Sequence, residues 1–427
     1  MVKAQLKKLL PSGLFRMLEP PYHFVEAAVV SARYGRPARD MKVIGVTGTN
    51  GKTTTCFMIH RMLTEAGYKT GMMTTVAYGV GSDIKPQVVH MTTVSAPVLQ
   101  KRLAEFRRAG VEWLILEVTS HALAQYRTLG IPIEIAVVTN VTHEHLDYHR
   151  TFERYLEAKT RLFRYAKRLG VVNADDPHHE NFSSLVKRSV SYGLQAGDVR
   201  ATNVELLPDK STYTVDYHGE KYNITCRIPG EFNVYNSLAA IAVGEELGLT
   251  RDQIENGIAA LEGVEGRMDV VDEGQPFTVV VDFAHTPDSF ERLLGDIRRS
   301  TKGKLVVLFG SAGRRDESKR AIQGEIAGRL ADELVLTEED DRDIDGNEIL
   351  GQIVSGAAKS GKTVDKEVFL ELDRTEAIKL AISRVSDADD TVVFLGKGHE
   401  KTIERADGEH PWNEIETVRN ALRSRGK

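Results

Sequence analysis

The chain has 427 residues, of which 41% are hydrophobic and 27% are charged, and its formal net charge is −5. This composition is typical of a globular protein with room for two or three domains, and the negative balance gives no electrostatic reason to expect a nucleic-acid partner. The chain contains two cysteines, Cys56 and Cys226. Neither a disulfide framework nor a cysteine-based zinc site is therefore expected, in keeping with a reducing cytoplasm.

The first 40 residues are too few to build an independent core. We interpret 1–40 as a short helical segment, with a helix around 24–34, that leads into the first strand. The basic, leucine-rich stretch 1–18 fits either a surface helix that touches a membrane or a helix docked on the rest of the chain, and we favour docking. No apolar run reaches the ~18 residues of a membrane-spanning helix, so no stable membrane insertion is expected.

A glycine-rich turn, Thr-Gly-Thr-Asn-Gly-Lys-Thr at 47–53, follows a predicted buried strand at 43–46 and precedes a segment with helical periodicity. Backbone N–H groups and a helix N-terminus would converge there on a polyphosphate. Lys52 would reach the outer phosphates and the Thr53 hydroxyl would bind Mg²⁺. Because Val46 stands where the strict phosphate-loop pattern has glycine, an ordinary turn between strand and helix is the alternative.

Strand and helix patterns alternate from 41 to 265, which predicts a central α/β domain with a mostly parallel, phosphate-loop-type sheet covered by helices. Alternating apolar and polar residues at two later runs predict a small antiparallel addition to that sheet. The predicted elements are strands at 112–118, 133–139 and 171–176, a helix at 151–169, alternating runs at 213–217 and 221–228, and a helix that ends at Leu247. Ligands bind beyond the carboxyl ends of such strands, so the polar residues there are expected to share a site.

A second series of strands and helices, from 266 to 427, predicts a C-terminal Rossmann-like α/β domain. The predicted strands lie at 278–282, 304–309, 333–336 and 391–395. A glycine-rich turn with two arginines, at 310–316, suits an anionic group. The run 338–343 places five carboxylates around Arg342. Such a run is usually a solvated loop, but beside an ATP site it could select a cationic substrate.

Three polar features of the central domain carry candidate chemistry. Glu117 ends a predicted strand and could hold Mg²⁺, or it could be a capping or surface acid. The run 143–149 contains three histidines and two acids. Its spacing does not match a common helical zinc motif, and polar loop packing is the alternative to metal binding. Lys159, judged from its spacing alone, is interpreted as a solvated surface lysine.

Taken together, these motifs resemble the Mur ligase family, ATP-dependent enzymes that join an amino acid to a carboxylate through an acyl phosphate. The loop 47–53 is similar to the phosphate loop of that family, which explains the departure at Val46. Within the family the resemblance is greatest to the UDP-N-acetylmuramoyl-tripeptide synthetase (MurE) branch and covers residues 42–420. The motifs that carry it lie at 117–123, 145–149, 158–163, 282–288 and 396–400.

The resemblance implies a nucleotide site, a metal site and a modified lysine. The implied ATP-binding residues are Gly48, Thr49, Asn50, Gly51, Lys52, Thr53, Thr54, Asn233, Asn236, Arg267, Asp282 and His285. The implied Mg²⁺ ligands are Thr53, Glu117, His145 and Lys159. Catalysis is assigned to Lys52, Glu117, His145 and Lys159. Lys159 matches the family's carbamylated lysine, and this replaces its interpretation as a surface lysine.

The resemblance also implies two substrate sites. Residues matching those that hold the muramoyl peptide are Thr92, Thr93, Ser120 and Arg127, and residues matching those that hold the amino acid are Arg342, Gly396 and Glu400. The sequence Glu-Asp-Asp-Arg at 339–342 stands where diaminopimelate-adding members have Asp-Asn-Pro-Arg. Its extra acids predict a cationic diamino acid such as lysine or ornithine, with diaminopimelate still open. The uridine-nucleotide domain of the family is not recognisable in 1–40, so the acyl substrate is expected to be bound differently or to carry no UDP.

Two other assignments stay open. One is a ligase that resembles folylpolyglutamate synthase, which shares the fold and lacks a UDP-binding domain; the motifs at 120–123 and 397–400 favour the MurE branch instead. The other is a partner-dependent, Mur-ligase-like subunit, which usually carries a cysteine zinc insertion that this chain lacks. We expect a cytoplasmic monomer of peptidoglycan synthesis that uses ATP and Mg²⁺, acts on small molecules and binds no nucleic acid.

Overall fold

The computed structural model describes residues 12–87, 91–142, 144–207 and 209–425. Residues 1–11 of the basic start and His143 of the histidine-rich run lie outside this description. The chain forms two compact units. The first unit comprises the chain up to Asn203 together with Tyr213–Ile224 and Tyr235–Ala260, and the second comprises Val204–Thr212, Thr225–Val234 and the chain from Leu261.

An α/β architecture with a large, mostly parallel sheet is confirmed, and the central strands of this sheet lie in the first unit. Within the described residues this sheet has eleven strands in the order β11-β10-β9-β8-β7-β6-β1-β5-β2-β3-β4. The strands are β1 (Lys42–Thr47), β2 (Thr70–Met73), β3 (Ala77–Val80), β4 (Asp83–Pro86), β5 (Trp113–Glu117), β6 (Ile133–Val138), β7 (Leu169–Asn173), β8 (Ser189–Gly193), β9 (Val199–Leu206), β10 (Ser211–Tyr217) and β11 (Glu220–Cys226). Seven adjacent strands of this sheet run parallel to one another, namely β2, β5, β1, β6, β7, β8 and β9.

Helices cover this sheet and connect its parallel strands. Those that begin before residue 260 are α1 (Ser12–Arg33), α2 (Lys52–Glu65), α3 (Ala96–Arg108), α4 (Ser120–Ala124), α5 (Leu146–His149), α6 (Phe152–Arg164), α7 (Glu180–Ser183), α8 (Glu231–Leu247) and α9 (Arg251–Ala259), with a 3-10 helix at Pro37–Asp40. None of the described helices is long and apolar enough to span a membrane.

The helix predicted at 151–169 is wrong at its C-terminal end. It starts as expected, because the Thr151 side chain caps it by accepting a hydrogen bond from the Arg154 N–H. It ends at Arg164, however, and β7 already begins at Leu169, which pairs with Ile135 of β6. Leu169 therefore belongs to the sheet, since strand pairing outweighs a helical pattern that continues by only a few residues.

The hydrophobic core of the first unit lies between the central strands and the helices on their faces. Strand β1 is buried at five of its six residues, as expected for a parallel strand covered on both sides. Val43 of β1, Leu114 of β5, Ala136 of β6 and Leu162 of α6 are fully buried together. This packing fixes the positions at which β1, β5 and β6 end, and therefore the positions of the polar residues that follow them.

The second unit has its own parallel sheet, as predicted for the C-terminal half. Within the described residues its strands lie in the order β12-β13-β17-β14-β15-β16, and a separate hairpin is formed by β18 and β19. The strands are β12 (Asp269–Val270), β13 (Thr278–Asp282), β14 (Leu305–Phe309), β15 (Glu333–Leu336), β16 (Val368–Leu370), β17 (Thr391–Leu395), β18 (Thr402–Arg405) and β19 (Gly408–Pro411). The helices are α10 (Pro287–Ser300), α11 (Ser318–Leu330), α12 (Gly346–Lys359), α13 (Arg374–Ser383) and α14 (Glu414–Arg425).

A buried ion pair joins the starts of α13 and α14. The guanidinium of Arg374 donates to both carboxylate oxygens of Glu414, at 2.6–3.2 Å, and both side chains are inaccessible to solvent. Arg374 also donates to the carbonyl oxygens of Glu338 and Leu395, each at 2.8 Å. The pair thus fastens the carboxyl ends of β15 and β17, after which the acidic run and the Gly396–Glu400 motif begin.

Replacing Glu414 by alanine is expected to lower the free energy of unfolding of the second unit by about 3–5 kcal/mol, because Arg374 would be left buried without its counter-charge. The exposed pair of Arg423 with Glu273 is the matched control, and Arg423→Ala should cost less than about 1 kcal/mol. A urea titration read by hydrogen-exchange mass spectrometry of the β13, β14 and β17 peptides would measure both. Equal, small losses in the two variants would show that the buried pair does not hold these strands.

Candidate active site

The phosphate loop depends on two glycines with left-handed backbone conformations. Gly48 has φ of 148° and Gly51 has φ of 82°. A Cβ atom on Gly48 would lie 1.9 Å from the Thr139 hydroxyl oxygen, and one on Gly51 would lie 2.2 Å from the Asn236 side-chain oxygen. Any other residue at either position would therefore have to displace a neighbouring polar side chain as well as adopt a disfavoured φ.

Asn140, which follows β6, holds the loop in place. The Thr49 N–H donates to the Asn140 carbonyl oxygen at 2.8 Å, and the Asn50 N–H donates to the Asn140 side-chain oxygen at 2.9 Å. The Asn140 amide in turn donates to the Asn50 carbonyl oxygen at 3.1 Å. With the loop anchored on its β6 side, α2 starts at Lys52, and its first-turn N–H groups have no acceptor within the helix. Such a helix start attracts phosphate.

Glu117 lies at the carboxyl end of β5, beside the start of α2. Its carboxylate accepts hydrogen bonds from the Thr53 hydroxyl at 3.0 and 3.2 Å and from the N–H and hydroxyl of Thr75 at 2.9 and 3.0 Å. The residue is 1% exposed, and no basic side chain in the described ranges forms an ion pair with it. A buried carboxylate that has only neutral donors is suited to a cation, and its neighbouring hydroxyl oxygens are ligands that Mg²⁺ accepts.

Lys159 is buried, so the interpretation of this residue as a surface lysine is wrong. It is 2% exposed, and its ammonium donates to the Gly48 carbonyl oxygen. Lys52 donates to the same oxygen at 3.1 Å and to the Thr49 carbonyl oxygen at 2.7 Å. The pKa of Lys159 is well below its usual value, first because the group is desolvated and then because the charge of Lys52 is close.

Tyr155 links Lys159 to the phosphate loop. The ammonium of Lys159 lies 4.5 Å from the centroid of the Tyr155 ring, and the Tyr155 hydroxyl is hydrogen-bonded to the Thr49 hydroxyl at 2.9 Å. His145 packs against the same ring, with centroids 6.3 Å apart, and its Nε2 lies 3.5 Å from a carboxylate oxygen of Glu144. The structure therefore brings His145, Lys159 and the phosphate loop together around one aromatic side chain.

The residues matched to muramoyl-peptide binding lie beside Glu117. The Thr93 hydroxyl donates to the Glu117 carbonyl oxygen at 3.0 Å, and the Arg127 guanidinium donates to the Thr93 carbonyl oxygen at 2.5 Å. Ser120 is hydrogen-bonded through its hydroxyl to Nε2 of His149 at 3.0 Å. Burial lowers the pKa of Arg127. Thr92, next to Thr93, is half-buried.

The other residues matched to ATP binding fall into both units. Asn236 belongs to the first unit, where its side-chain oxygen accepts from the Thr55 hydroxyl at 3.4 Å beside Gly51. Thr54, in the first turn of α2, is buried. Asn233 belongs to the second unit, and its amide donates to the Pro229 carbonyl oxygen at 2.7 Å.

A polar cluster at the carboxyl end of β13 contains the other three of these residues. The guanidinium of Arg267 lies 4.7 Å from the centroid of the Phe283 ring, and Nδ1 of His285 is 2.9 Å from the Phe283 carbonyl oxygen. Asp282 accepts from the N–H groups of Met268 and Ala284 at 2.8 and 2.7 Å. Burial raises the pKa of Asp282, although the charge of Arg267 acts in the opposite direction.

His399, from the Gly396–Glu400 motif, completes this cluster. Its ring lies 4.9 Å from that of Phe283, and its Nδ1 is buried with no hydrogen-bond partner among the described residues. Burial and the nearby charge of Arg267 hold the pKa of His399 well below its usual value. A buried ring nitrogen without a partner suits a ligand atom in this cluster.

The acidic run 338–343 is largely neutralised by its own neighbours. Glu338 accepts from Arg405 at 2.6 and 2.8 Å, and Asp343 pairs with Arg314. The ammonium of Lys397 lies 2.8 Å from Asp340 and 2.6 Å from Glu400. These pairs account for most of the charge that the sequence concentrates here.

Two acids of the run form no ion pair within the described residues. Glu339 and Asp341 form no ion pair with any residue that the structure describes. The pKa of Asp341 is raised to about 6, because the carboxyl is desolvated and lies near the charges of Glu338, Glu339 and Asp340. Since uncompensated carboxylates attract cations, Glu339 and Asp341, rather than Asp340, are the acids that could recognise a cationic group.

Arg342, the residue matched to the amino-acid carboxylate, is already engaged. Its Nε donates to Glu404 at 2.7 Å and its Nη1 donates to the Gly313 carbonyl oxygen, while Nη2 lies 3.9 Å from Asp340. Arg342 has φ of 57° and Gly396 has φ of 99°. A Cβ atom at Gly396 would lie 2.7 Å from a carboxylate oxygen of Glu339, so this glycine allows the unpaired acid to approach the loop.

Several residues that shape these sites escaped the sequence reasoning. Thr75 and Tyr155 each hold a predicted residue but were not selected themselves, whereas Lys397 and His399 lie in the motif 396–400 but were given no role. Tyr155 had a usable signal, because it lies four residues before Lys159 and so on the same face of α6. Thr75 had none, since only the parallel pairing of β2 with β5 brings it to Glu117.

An anchored glycine loop between β1 and α2, with a buried acid at the end of the neighbouring β5, defines a protein that binds a nucleotide polyphosphate at the edge of a parallel sheet. Family models describe the two halves of the chain: the Mur ligase middle domain matches residues 46–244, and the Mur ligase glutamate ligase domain matches residues 266–398.

Individual relatives agree with these matches. A UDP-N-acetylmuramyl-tripeptide synthetase of Roseiflexus sp. is 40% identical over 94% of this chain and 82% of its own length. A UDP-N-acetylmuramoyl-L-alanyl-D-glutamate–2,6-diaminopimelate ligase of Clostridium acetobutylicum is 38% identical over 87% of this chain and 76% of its own length. The solved Mycobacterium tuberculosis folylpolyglutamate synthase in complex with ADP shares the fold, with a TM-score of 0.74, 18% identity and 94% of each chain covered.

The chain belongs to the Mur ligase family. The resemblance found in the motifs is thereby confirmed, and so is the prediction that the protein is a ligase. The roles of individual residues and the boundaries near 40 and 265 stay predictions.

Gly48→Ala is expected to lower the affinity for a non-hydrolysable ATP analogue by roughly tenfold or more, because the added methyl would collide with Thr139 and move the loop. Gly67→Ala is the matched control: Gly67 also has positive φ, at 92°, but a Cβ there meets nothing within 4 Å. Isothermal titration calorimetry on both variants would separate the collision from the cost of positive φ. Equal affinities would show that the contact with Thr139 does not shape the nucleotide site.

Proposed function

We propose that this protein is an ATP-dependent ligase that joins a diamino acid to a muramoyl peptide, or to a related cell-wall precursor, through an acyl phosphate. The observation that carries the proposal is the convergence of Lys52 and Lys159 on the Gly48 carbonyl oxygen, beside the buried carboxylate of Glu117. A site that only bound nucleotide would not need a second, buried lysine with a lowered pKa.

The phosphate loop would hold ATP in position for phosphoryl transfer. The first-turn N–H groups of α2 and the ammonium of Lys52 would bind the phosphate oxygens and stabilise the negative charge on the transferring group. To do so, Lys52 would exchange its hydrogen bonds with the Gly48 and Thr49 carbonyl oxygens for contacts with phosphate. Asn233, Asn236, Arg267, Asp282 and His285 would bind the rest of the nucleotide.

Thr53, Glu117, His145 and Lys159 would hold Mg²⁺. The donors fit a hard cation in part: Glu117 supplies a buried carboxylate without a counter-charge, and Thr53 supplies a hydroxyl oxygen. The described residues contain no group of three His, Cys, Asp or Glu side chains placed to bind a metal, so phosphate oxygens and a modified lysine would have to complete the ligand set. Bound Mg²⁺ supplies charge neutralisation at the phosphate oxygens.

Carbamylation of Lys159 is chemically favoured by its surroundings. Formation of a carbamate requires a neutral amine to attack CO₂, and the lowered pKa of Lys159 makes the neutral amine accessible. The product is a carboxylate, which would replace a positive charge near Lys52 by a negative one. Like-charge repulsion with Lys52 would then become attraction, and the site would gain an oxygen ligand for a cation.

The acyl substrate would bind next to Glu117, where Thr92, Thr93, Ser120 and Arg127 lie. Its carboxylate would attack the γ-phosphate of ATP, giving ADP and an acyl phosphate. The neutral amine of the amino acid would then attack the acyl carbon, forming the amide and releasing phosphate. Water has to be kept from the acyl phosphate during this interval, since hydrolysis would waste the ATP.

The amino acid would be selected in the second unit. Arg342 would take its carboxylate, in exchange for Glu404, with Gly396 and Glu400 beside it. The unpaired carboxylates of Glu339 and Asp341 would attract the second ammonium of a diamino acid such as lysine, ornithine or diaminopimelate. Neutral and acidic amino acids lack this charge and would leave both carboxylates uncompensated.

Phosphate release would test the reaction directly. The purified chain would be assayed with ATP and Mg²⁺ plus UDP-muramoyl dipeptide, its UDP-free counterpart, or folate, each against lysine, ornithine, diaminopimelate, alanine and glutamate. Turnover with a muramoyl substrate and a diamino acid is expected. Turnover with folate and glutamate alone would favour the folylpolyglutamate-synthase-like alternative, whose fold the chain shares. Activity that appears only with a partner protein would favour a subunit of a complex.

Lys159→Ala should abolish phosphate release, and added formate or acetate should restore part of it by supplying the missing carboxylate. Lys167→Ala is the matched control, since Lys167 follows the same helix and its side chain is 61% exposed; it should keep full activity. In addition, the wild-type protein incubated with ¹³C-bicarbonate should show a carbamate carbon signal that Lys159→Ala lacks. Full activity of the unrescued variant would refute the carbamate assignment.

The contribution of Asp341 to kcat/KM for lysine should rise with pH as its carboxyl group loses its proton. With its pKa raised to about 6, the carboxyl is neutral below that pH and charged above it, so attraction to the second ammonium grows as pH increases. The ratio of lysine kcat/KM in wild type to that in Asp341→Asn should therefore increase by roughly tenfold or less between pH 5 and 7. The ratio cancels the pH dependence of the reacting amine, and a flat ratio would exclude Asp341 from recognition.

A further inference from the structure

Helix α1 is apolar on the side that faces solvent. Its inner side is buried on the first unit, at His23, Ala27 and Ser31, and α1 packs against α3. The opposite side carries a stripe at helical spacing that we call the outer face, made up of Pro21, Val25, Val29 and Ala32. A surface helix normally shows polar residues on that side.

Val25 and Val29 are 57% and 60% exposed, more than any other large apolar side chain in the part of the chain that the structure describes. Phe24, at the border of the outer face, is 47% exposed, with its ring 5.5 Å from that of Tyr126. Single exposed apolar residues need no explanation. A continuous apolar stripe on one helix, however, indicates a surface that contacts a membrane or another molecule.

Three arginines follow the outer face. Arg33, Arg36 and Arg39 are exposed, and none of them forms an ion pair with another described residue. Arg36 has φ of 50° and precedes the 3-10 helix, which packs against α3. The arginines are thus attached to the folded unit at the end of the apolar stripe.

The charge of this region is opposite to that of the rest of the protein. Residues 1–39 contain seven Lys and Arg against two Glu, whereas the remaining residues contain 49 Lys and Arg against 59 Asp and Glu. Basic residues stand both before α1, at Lys3, Lys7 and Lys8, and after it. A positive, partly apolar surface on an otherwise negative protein is complementary to an anionic apolar boundary.

We propose that the outer face of α1, together with Arg33, Arg36 and Arg39, docks on an anionic membrane surface. The valines enter the boundary between headgroups and acyl chains, and the arginines contact lipid phosphates. The helix lies on the surface and does not cross it, since its inner side is already packed on the protein and no described helix is long and apolar enough to span a bilayer.

A second copy of this chain fits the outer face less well. Basic residues flank α1 on both sides in the sequence, so two copies joined through their outer faces would bring like charges together in either alignment. An anionic lipid surface instead satisfies the apolar stripe and the positive charge at once. The proposal is independent of the ligase chemistry, and its test does not use activity.

The full chain would be mixed with sucrose-loaded vesicles of phosphatidylcholine alone or with 30% phosphatidylglycerol, and then sedimented. We expect the wild-type protein to partition into the anionic vesicles. The partition coefficient should fall by roughly tenfold or more in Val25→Asp/Val29→Asp, and by roughly fivefold for each arginine replaced in Arg33→Glu/Arg36→Glu. Matched controls are Ile322→Asp/Leu370→Asp, each residue 46% exposed in the second unit, and Lys302→Glu/Lys366→Glu, both exposed; these should bind as wild type.

A fluorescent label keeps the test independent of variant stability. Cys56 and Cys226 are buried, so an environment-sensitive thiol dye should react selectively with Val29→Cys or, as the control, Ile322→Cys. A blue shift with anionic vesicles at position 29 but not at 322 is expected. Three results would overturn the proposal. The first is wild-type partition into anionic vesicles no greater than into neutral ones, and the second is an equal blue shift at both positions. The third is a concentration-dependent dimer in sedimentation velocity that Val25→Asp/Val29→Asp abolishes.

Discussion

The ammonium groups of Lys52 and Lys159 both donate to the carbonyl oxygen of Gly48, and this contact lies at the centre of the candidate active site. Two like charges this close, one of them buried, cannot both be stable, so the buried group gives up its proton easily. The same residue has to be glycine, because its φ is positive and Thr139 occupies the space that a side chain would need. Gly48 therefore links the conformation of the loop, the packing against Thr139 and the lowered pKa of Lys159.

In the second unit, some buried charged side chains are stabilised by ion pairs. There, two buried cations have close anionic partners: Arg374 is paired with Glu414, and Lys397 lies between Asp340 and Glu400. Glu339 and Asp341, by contrast, form no ion pair with any described residue. A carboxylate without an ion-pair partner is available to a cationic ligand.

Helix α1 shows how one element can satisfy two environments. Its inner residues are small or polar and fit against α3, while its outer residues are apolar. A surface helix normally carries polar residues on its outer side. One side of α1 is covered by protein, and the other side is the one that we propose contacts an anionic membrane surface.

The sequence by itself determined the central strands, the phosphate loop and the family, because strand periodicity and the Gly48–Thr53 turn are local patterns. Glu117 could likewise be selected, since it ends a recognisable strand. Only the tertiary structure decided that Lys159 is buried, that Tyr155 joins it to the loop, that α6 stops at Arg164 and that Asp341 rather than Asp340 lacks a counter-charge. Burial, strand pairing and ion pairing depend on residues that are distant in the chain, and no local pattern records which of them meet.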